Sequence, residues 1–326
     1  MSFSRLKYQS LIFSGLVIIL MFLGTYSIHG GFKRSIQFNG GIRLSIMMPG
    51  NKDKADLEKA VHQAGYKESL VRQTDPRLNA YDLEMGPDLR DEIDLQLRQK
   101  RKEQQKQIDA LEAANKEVPA DLRVHESVSD VIARRVLEQM GLGPEQIISR
   151  ETIAGSYGDQ LGLLALRMMF FTLVAIGLYL TFRFDFPFAL GASIALVHDV
   201  IMTIGFIGIM QIEPSIPVLA AVLTIVGYSI NDTIVIFDRI RENINDRQQA
   251  TLGATIDLAI TQTLSRTIVT SVLTLLAALA LFMGGESSLE DFALVLVFGL
   301  VIGTYSSIFV ASNAVQIYEG LRDRFR

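Results

Sequence analysis

Six long runs of apolar residues divide the chain, and the charged residues are concentrated between them. The runs cover residues 11–28, 161–182, 188–210, 218–237, 268–283 and 292–313. A helix needs about 20 mainly apolar residues to cross the hydrocarbon core of a bilayer, so each run predicts a transmembrane helix. The first run could also be a signal peptide, but no clear small-x-small cleavage site follows it, which favours an uncleaved span.

Basic residues near the ends of these runs predict their orientation. Arginines follow the second, fourth and sixth runs, whereas residues 211–217 and 284–291 contain acidic residues and no basic ones. Short cytoplasmic loops carry an excess of Lys and Arg, so both termini are predicted to be cytoplasmic. The long segment between the first two spans then lies outside, in the periplasm if the cell has an outer membrane.

The pattern predicts a polytopic α-helical membrane protein with a small α+β domain. Its predicted parts are the N terminus with the first span (residues 1–29), the outer domain (30–158), a five-helix membrane region (159–317) and a cytoplasmic tail (318–326). Within the membrane region, residues 238–266 form a cytoplasmic segment. Its apolar positions from 252 to 264 fall on one helical face, which predicts an amphipathic helix lying on the membrane surface.

The outer domain shows patterns typical of both strands and helices. Apolar residues alternate at positions 42–48 and 81–85, which is the period of half-buried strands, and residues 146–153 predict a closing strand. Residues 53–64 and 129–140 predict helices, each followed by a glycine suited to a left-handed cap.

An unusually charged segment, residues 88–117, lies inside the outer domain. Half of its positions are charged, and a thin apolar stripe at spacings of three and four predicts a long helix begun by Asp88. Such a helix is either a solvated extension or a contact surface for a partner.

Composition excludes several kinds of chemistry. The chain has no cysteine, and its four histidines lack metal-ligand spacing. A nucleophile with an adjacent base, a phosphate-binding loop, a cofactor motif and a basic patch for nucleic acid are also missing from the sequence. We therefore expect no metal, no cofactor, no nucleic-acid partner and no enzymatic activity.

Ionisable residues within the apolar runs are the candidate functional residues. A charge at the centre of a span costs roughly 2.5–3.5 kcal/mol on insertion scales, so it indicates function by default. Asp232 and Asn231 are predicted to share one face of the fourth span with Thr224 and Tyr228. That face is expected to turn towards protein or water, and Asp232 is a natural proton carrier, although it could merely bond to neighbouring helices.

Other spans are predicted to complete this polar interior. The third span contains His198 and Asp199, adjacent residues that are expected to point in divergent directions, so a purely structural role for one of them stays open. The fifth span begins with Arg266. The sixth carries a stripe of small residues at 299, 303, 306 and 307, which permits close helix contact.

Several motifs resemble the SecF family. Residues 227–243, Gly-Tyr-Ser-Ile-Asn-Asp-Thr-Ile-Val-Ile-Phe-Asp-Arg-Ile-Arg-Glu-Asn, are similar to its fourth-span signature, and residues 195–201 and 261–267 are similar to its third- and fifth-span motifs. Phe38, Gly40 and Gly41 match its Phe-x-Gly-Gly element, which we interpret as a turn. The resemblance covers residues 1–85 and 126–326, so it leaves the charged segment unexplained.

This resemblance implies a subunit that works with SecD in the bacterial inner membrane and uses the proton motive force to promote protein export. The implied partners are SecD, the Sec translocon channel with its accessory subunits, exported preproteins and protons. The family's proton-relay residues map onto Asp232 and Arg266, with Asn231, His198 and Asp199 beside them. The alternatives are a lipid or drug exporter of the wider resistance-nodulation-division superfamily and a scaffold that moves no protons.

Overall fold

The computed structural model describes residues 3–33, 41–66, 69–75, 77–113, 119, 126–153, 155–246, 251–284 and 287–324. These residues form two compact units. One unit joins Met1–Lys33 to Leu164–Arg326, and the other comprises Arg34–Leu163. The first unit contains the apolar helices, and the second contains a small sheet with its own helices.

Within the described ranges, six helical spans are long and apolar enough to cross a membrane, as the apolar runs predict. After a 3-10 turn at Phe3–Leu6, the first five are α1 (Lys7–His29), α5 (Gly155–Arg183), α6 (Phe186–Ile209), α7 (Ile216–Asn245) and α8 (Leu252–Gly284). The sixth span consists of α9 (Ser287–Ser306), a π-helical turn (Ser307–Ala311) and α10 (Ser312–Arg324).

The prediction of an amphipathic surface helix within residues 238–266 is wrong. Residues 238–245 continue α7, and α8 is unbroken from Leu252–Gly284, so the fifth span includes the predicted surface helix. Its apolar residues Ile256, Ala259 and Ile260 lie in the core of the bundle. A one-sided apolar pattern suits both a helix lying on a membrane and a helix packed on protein, and here the protein supplies the apolar surface.

Small residues bring α7 and the sixth span into close contact. A Cβ atom added to Gly299 would collide with the Ile225 side chain, and one added to Gly303 would lie 3.2 Å from the Cβ of Ser229. Ser306 and Ser307 on the same stripe are fully buried. The predicted close-packing role of this stripe is confirmed, and it brings backbone and hydroxyl groups of the two spans within bonding distance.

The second unit contains a four-stranded antiparallel sheet with the strand order β2-β3-β1-β4. The strands are β1 (Gly41–Met47), β2 (Ser69–Asp75), β3 (Ala80–Met85) and β4 (Ile147–Ile153). In the centre of the sheet, Leu44 of β1 lies opposite Leu83 of β3, and both face the core. Strand β2 was not predicted, because two apolar residues stand side by side in its sequence. Only the structure shows that Val71 is buried and that Leu70 is exposed at this edge strand.

Two helices pack with the sheet around this core. They are α2 (Lys54–Gln63) and α4 (Val128–Met140), close to the predicted ranges. Gly65 and Gly141 follow them with φ angles of 96° and 64°, as expected for glycines that end helices. The predicted fold class, a six-span helical membrane protein with a small α+β domain, is confirmed.

Residues 88–113 of the charged segment belong to a long helix, α3 (Pro87–Ala113), and residues 114–117 lie outside the described residues. It begins before Asp88, so Asp88 is not the residue that precedes the helix. Ile93 and Leu97 of its first half belong to the core of the domain, so this half is not a solvated extension. Further along, Lys100 Nζ lies 3.1 Å from Glu126, which Arg134 also contacts, and together they hold the pKa of Glu126 below its usual range.

Candidate functional site in the membrane bundle

Asp232 lies on α7 inside the bundle and is only 3% exposed. Its Oδ2 atom is buried and has no hydrogen-bond partner among the described residues. Two side chains of α8, the Ser271 hydroxyl and the Arg266 guanidinium, are near enough to interact electrostatically with this carboxyl group. A buried carboxyl group with such an oxygen is chemically able to take up and release a proton. Burying it in a membrane span costs free energy, which indicates a functional role.

Arg266 is exposed in this chain and stands beside a cavity of about 400 Å³. The cavity is lined by Val235, Asp238, Arg239, Glu242, Gln262, Thr263 and Arg266. Gln262 Oε1 accepts hydrogen bonds from Arg239 Nε at 2.7 Å and from Asn243 Nδ2 at 2.9 Å. One amide oxygen therefore ties the end of α7 to the start of α8, one helical turn from Arg266.

His198 and Asp199 form a second buried polar group, on α6. His198 Nδ1 lies 3.0 Å from Asp199 Oδ1. Asp199 is fully buried, and its Oδ2 accepts hydrogen bonds from Ser229 Oγ at 2.5 Å and from Ser306 Oγ at 2.7 Å. The adjacent side chains thus meet instead of diverging, and one carboxyl group joins the third, fourth and sixth spans. His198 Nε2 is buried without a partner in the described part of the chain.

Asn231 does not lie in the interior, so the predicted polar interior is wrong on this point. Successive residues of an α-helix point about 100° apart, and burial of Asp232 turns Asn231 outward. Thr224, Gly227 and Asn231 are all exposed on α7 at spacings of three and four. We call these three residues the polar strip. An amide exposed on a membrane span calls for a polar neighbour, because hydrocarbon cannot bond to it.

The Phe-x-Gly-Gly element is only partly described by the structure. Phe38 and Gly40 lie outside the described residues. Gly41 is the first residue of β1 and has a φ angle of 147°, a backbone conformation that favours glycine. This agrees with a backbone role for Gly41.

The sequence analysis missed two functional candidates, Ser229 and Gln262. Both lie inside the family-like motifs, and Ser229 precedes Asp232 by three residues, so its face of the helix was available as a signal. Their partners lie on other helices, which no spacing along one helix reveals. Within the described ranges, no three His, Asp or Glu side chains lie close enough together to hold a metal ion.

Comparison with known proteins agrees with this architecture. The family model described as "Protein export membrane protein SecD/SecF, C-terminal" matches residues 132–320. A protein of Gemmatimonas aurantiaca named "Protein translocase subunit SecF" is 31% identical over 98% of this chain and 89% of its own length. A protein of the same name from Thermodesulfovibrio yellowstonii is 34% identical over 95% of this chain and 92% of its own length.

A solved structure extends the similarity to three dimensions. The crystal structure of SecDF from Thermus thermophilus, described as a translocon-associated membrane protein, superposes on 98% of this chain with a TM-score of 0.74 and 30% identity. This chain covers 39% of the SecDF chain. The relatives are translocase subunits by name, which is a transport role. The multi-span membrane protein described here therefore belongs to the SecF family of protein translocase subunits, whose function is protein export.

Proposed function

We propose that this chain works with SecD as a non-enzymatic subunit that uses the proton motive force to promote protein export through the Sec translocon. The observation that carries the proposal is the buried Asp232 carboxyl group, whose Oδ2 has no hydrogen-bond partner among the described residues and which interacts with the charge of Arg266 on the next span. Asp232 carries the proton, and Arg266 responds to the charge of the carboxylate.

Charge movement at this site supplies enough energy to move helices. A proton on Asp232 removes the negative charge that attracts Arg266, so protonation and the position of Arg266 are coupled by Coulomb's law. Each charge that crosses the membrane is worth roughly 2.3 kcal/mol per 100 mV. A conformational equilibrium of a few kcal/mol is shifted by that amount, and the movement would reach the α+β domain, which contacts the preprotein.

His198, Asp199 and Asn231 are the remaining relay residues in this proposal. His198 Nε2 is buried without a partner in the described chain, so a proton or a water molecule can be received there. Asn231 faces outward beside Asp232 and would extend the relay towards a neighbouring subunit.

The proposed orientation places both termini in the cytoplasm and the α+β domain in the periplasm. Arg183 Nη2 lies 2.8 and 2.7 Å from the two carboxylate oxygens of Asp238, so the ends of α5 and α7 share one side of the bundle. The backbone N–H of Ser4 donates to Asp257 Oδ1 at 2.8 Å, which places the N terminus beside the start of α8. The positive-inside rule makes this arginine-rich side cytoplasmic in a bacterial inner membrane.

SecD is the proposed partner because this chain alone leaves polar groups uncovered. The polar strip needs hydrogen-bonding neighbours within the membrane. The solved relative is named SecDF, and this chain covers 39% of it, so the remainder of that protein provides candidate surfaces. The translocon channel, its accessory subunits and preproteins complete the proposed assembly.

The test is export of a secreted reporter by cells depleted of their own SecF. The cells receive SecD with this chain as wild type, Asp232→Asn, Arg266→Ala or Asp257→Asn. Asp257→Asn is the matched control, because it makes the same chemical change at a half-buried position of α8 that does not line the cavity beside Arg266. Membrane levels and co-purification of SecD are measured for each variant.

We expect Asp232→Asn and Arg266→Ala to assemble normally and lose most of their export, whereas Asp257→Asn exports as well as wild type. If Asp232→Asn assembles and exports normally, proton carriage by Asp232 is wrong and a scaffold role takes its place. Loss of assembly in Arg266→Ala alone would assign Arg266 to the SecD contact.

A further inference from the structure

Four consecutive residues of the sixth span have hydroxyl groups, and each of these groups contacts a different neighbouring helix. Thr304 Oγ1 lies 2.8 Å from Ser271 Oγ on α8, and Ser306 Oγ donates to Asp199 on α6. We call Thr304, Tyr305, Ser306 and Ser307 the hydroxyl quartet. Side chains of consecutive helical residues point about 100° apart, so four of them reach around the whole circumference of the helix.

The other two members of the hydroxyl quartet reach α1 and α7. Tyr305 Oη donates to the Ser10 carbonyl at 3.1 Å. Ser307 Oγ lies 2.9 Å from Thr233 Oγ1, the residue that follows Asp232. One turn of the sixth span therefore contacts the first, third, fourth and fifth spans.

A short chain of hydroxyl groups leads from Asp232 to the hydroxyl quartet. Ser271 Oγ lies 2.8 Å from Thr304 Oγ1, and the same hydroxyl group is near enough to Asp232 to respond to its charge. Thr304 Oγ1 has a second possible acceptor, the Leu300 carbonyl of its own helix at 2.8 Å. Each hydroxyl group carries one proton, so Ser271 and Thr304 must each choose between two acceptors.

The choice depends on the charge of Asp232. An ionised carboxylate attracts the Ser271 hydroxyl as a hydrogen-bond donor. Ser271 Oγ then accepts from Thr304, and Thr304 releases the Leu300 carbonyl. A protonated carboxyl group donates to Ser271, which then donates to Thr304, and Thr304 donates to Leu300. The direction of both hydroxyl bonds reverses, and a Thr hydroxyl that bonds to its own helix bends that helix.

A π-helical turn begins at the end of the hydroxyl quartet. The turn covers Ser307–Ala311, and the Ser312 hydroxyl donates to the Ser307 carbonyl five residues before it, at 3.3 Å. Such turns hold one extra residue, and their loss would rotate the following helix by about 100°. Beyond the turn, Asn313 Nδ2 donates to Ser10 Oγ at 3.1 Å, a contact that rotation would break.

We propose that the hydroxyl quartet is the positioning element that transmits the protonation state of Asp232 to the other spans, with the π turn as its hinge. This inference rests on the proton function proposed above. The titratable and charged groups around it are His198 and Asp199 from α6, Arg266 from α8, Tyr228 from the same helix as Asp232, and Tyr305 within the hydroxyl quartet.

The test measures how the end of the sixth span moves when the charge of Asp232 is removed. The chain has no cysteine, so spin labels can be placed at cysteines introduced for Ile244 on α7 and Leu321 on α10, both exposed. Distances between the labels are recorded by electron paramagnetic resonance on the full chain with SecD in nanodiscs. Each background carries either Asp232 or the non-ionisable Asp232→Asn.

Three further substitutions are compared in both backgrounds. Thr304→Val removes the hydroxyl at nearly constant shape, and Thr304→Ser retains it. Thr274→Val is the matched control, because Thr274 is also half-buried and donates to the carbonyl four residues before it, Thr270, at 2.9 Å. Melting temperatures establish that all variants are folded.

We expect Asp232→Asn to change the most populated distance between the two spin labels. Thr304→Val should abolish most of this change, whereas Thr304→Ser and Thr274→Val should retain it. If the shift survives Thr304→Val, or if Asp232→Asn causes no shift in any background, the inference is wrong. The export assay decides the proposed function separately: lost export by Asp232→Asn with an unaltered distance leaves the proton function standing and removes only this inference.

Discussion

At the scale of single residues, two buried aspartates on neighbouring spans differ in how fully they are hydrogen-bonded. Asp199 accepts from two serine hydroxyls and faces His198, whereas Asp232 has a buried oxygen without a partner in the described structure. Bonds from Asp199 join three helices, so its loss should affect stability. Asp232 is joined to fewer groups, so its loss should mainly affect transport.

We predict that Asp199→Ala lowers the stability of the full chain more than Asp232→Ala does. Hydrogen bonds between membrane helices average about 0.6 kcal/mol each, so loss of the two that Asp199 accepts from other helices costs roughly 1 kcal/mol. Thermal unfolding of the purified chain in detergent measures the difference. Equal melting temperatures for the two variants would contradict the assignment of Asp199 as the helix anchor.

At the scale of helices and strands, two interactions stabilise the start of α4. Ser127 and Asp130 form a capping box, and Arg150 of β4 contacts the same aspartate at 2.5 Å. The hydrogen bond from the Ser127 hydroxyl, helped by the charge of Arg150, outweighs partial burial and holds the pKa of Asp130 below its usual range. The folded domain therefore binds this proton less readily than the unfolded chain does.

We predict that Asp130→Asn lowers the stability of the α+β domain by roughly 0.5 kcal/mol at pH 7, because it removes a partly exposed negative charge that interacts with the helix N terminus and with Arg150. A lowered pKa contributes stability that is complete above the ordinary pKa and is lost as the pH falls through the lowered value. The wild-type domain should thus lose stability from about pH 5 downward, and Asp130→Asn should lose less over this range.

Circular dichroism of residues 34–163, expressed as a fragment, measures both effects, because this unit has its own core. Asp94→Asn on α3 is the control, since Asp94 pairs with Arg98 in the same helix and does not join two elements. An unaltered pH dependence in Asp130→Asn would show that other carboxyl groups cause the acid sensitivity.

At the scale of the whole molecule, this chain leaves a polar surface on a membrane span. The three residues of the polar strip on α7 are exposed, whereas Ile225, Ser229 and Thr233, which contact the sixth span, are buried. Hydrocarbon cannot form hydrogen bonds with an amide exposed on a lipid-facing helix. The surface is best explained by a second set of helices, which the proposal assigns to SecD.

We predict that Gly227→Leu leaves this chain folded but reduces co-purification of SecD several-fold. A side chain added at Gly227 meets nothing within 4 Å in this chain, so only a partner would be displaced. Gly15→Leu on α1 is the matched control, because Gly15 is also a span glycine with open space around it. Normal SecD recovery with Gly227→Leu would place the partner on another face.

Prediction from the sequence was most successful where one helix or strand contains the whole signal. The apolar runs predicted six spans, and alternation at Ile42, Leu44 and Ile46 predicted a strand. It failed where two environments require the same pattern. The apolar face around Ile256 suits lipid and protein equally, so the helix boundary was misplaced, and the edge strand β2 lacked a regular alternation.

The sequence by itself determined that this chain has six apolar runs long enough to span a membrane, that it carries an α+β domain after the first run, and that Asp199 and Asp232 are the carboxyl groups within those runs. Only the tertiary structure decided which hydroxyl groups lie beside those carboxyl groups. Ser229 and Ser306 are 77 residues apart along the chain but hydrogen-bond to the same Asp199 oxygen. Periodicity reports which face of one helix is polar, whereas a hydrogen bond depends on the position of the next helix, which close packing at Gly299 and Gly303 sets.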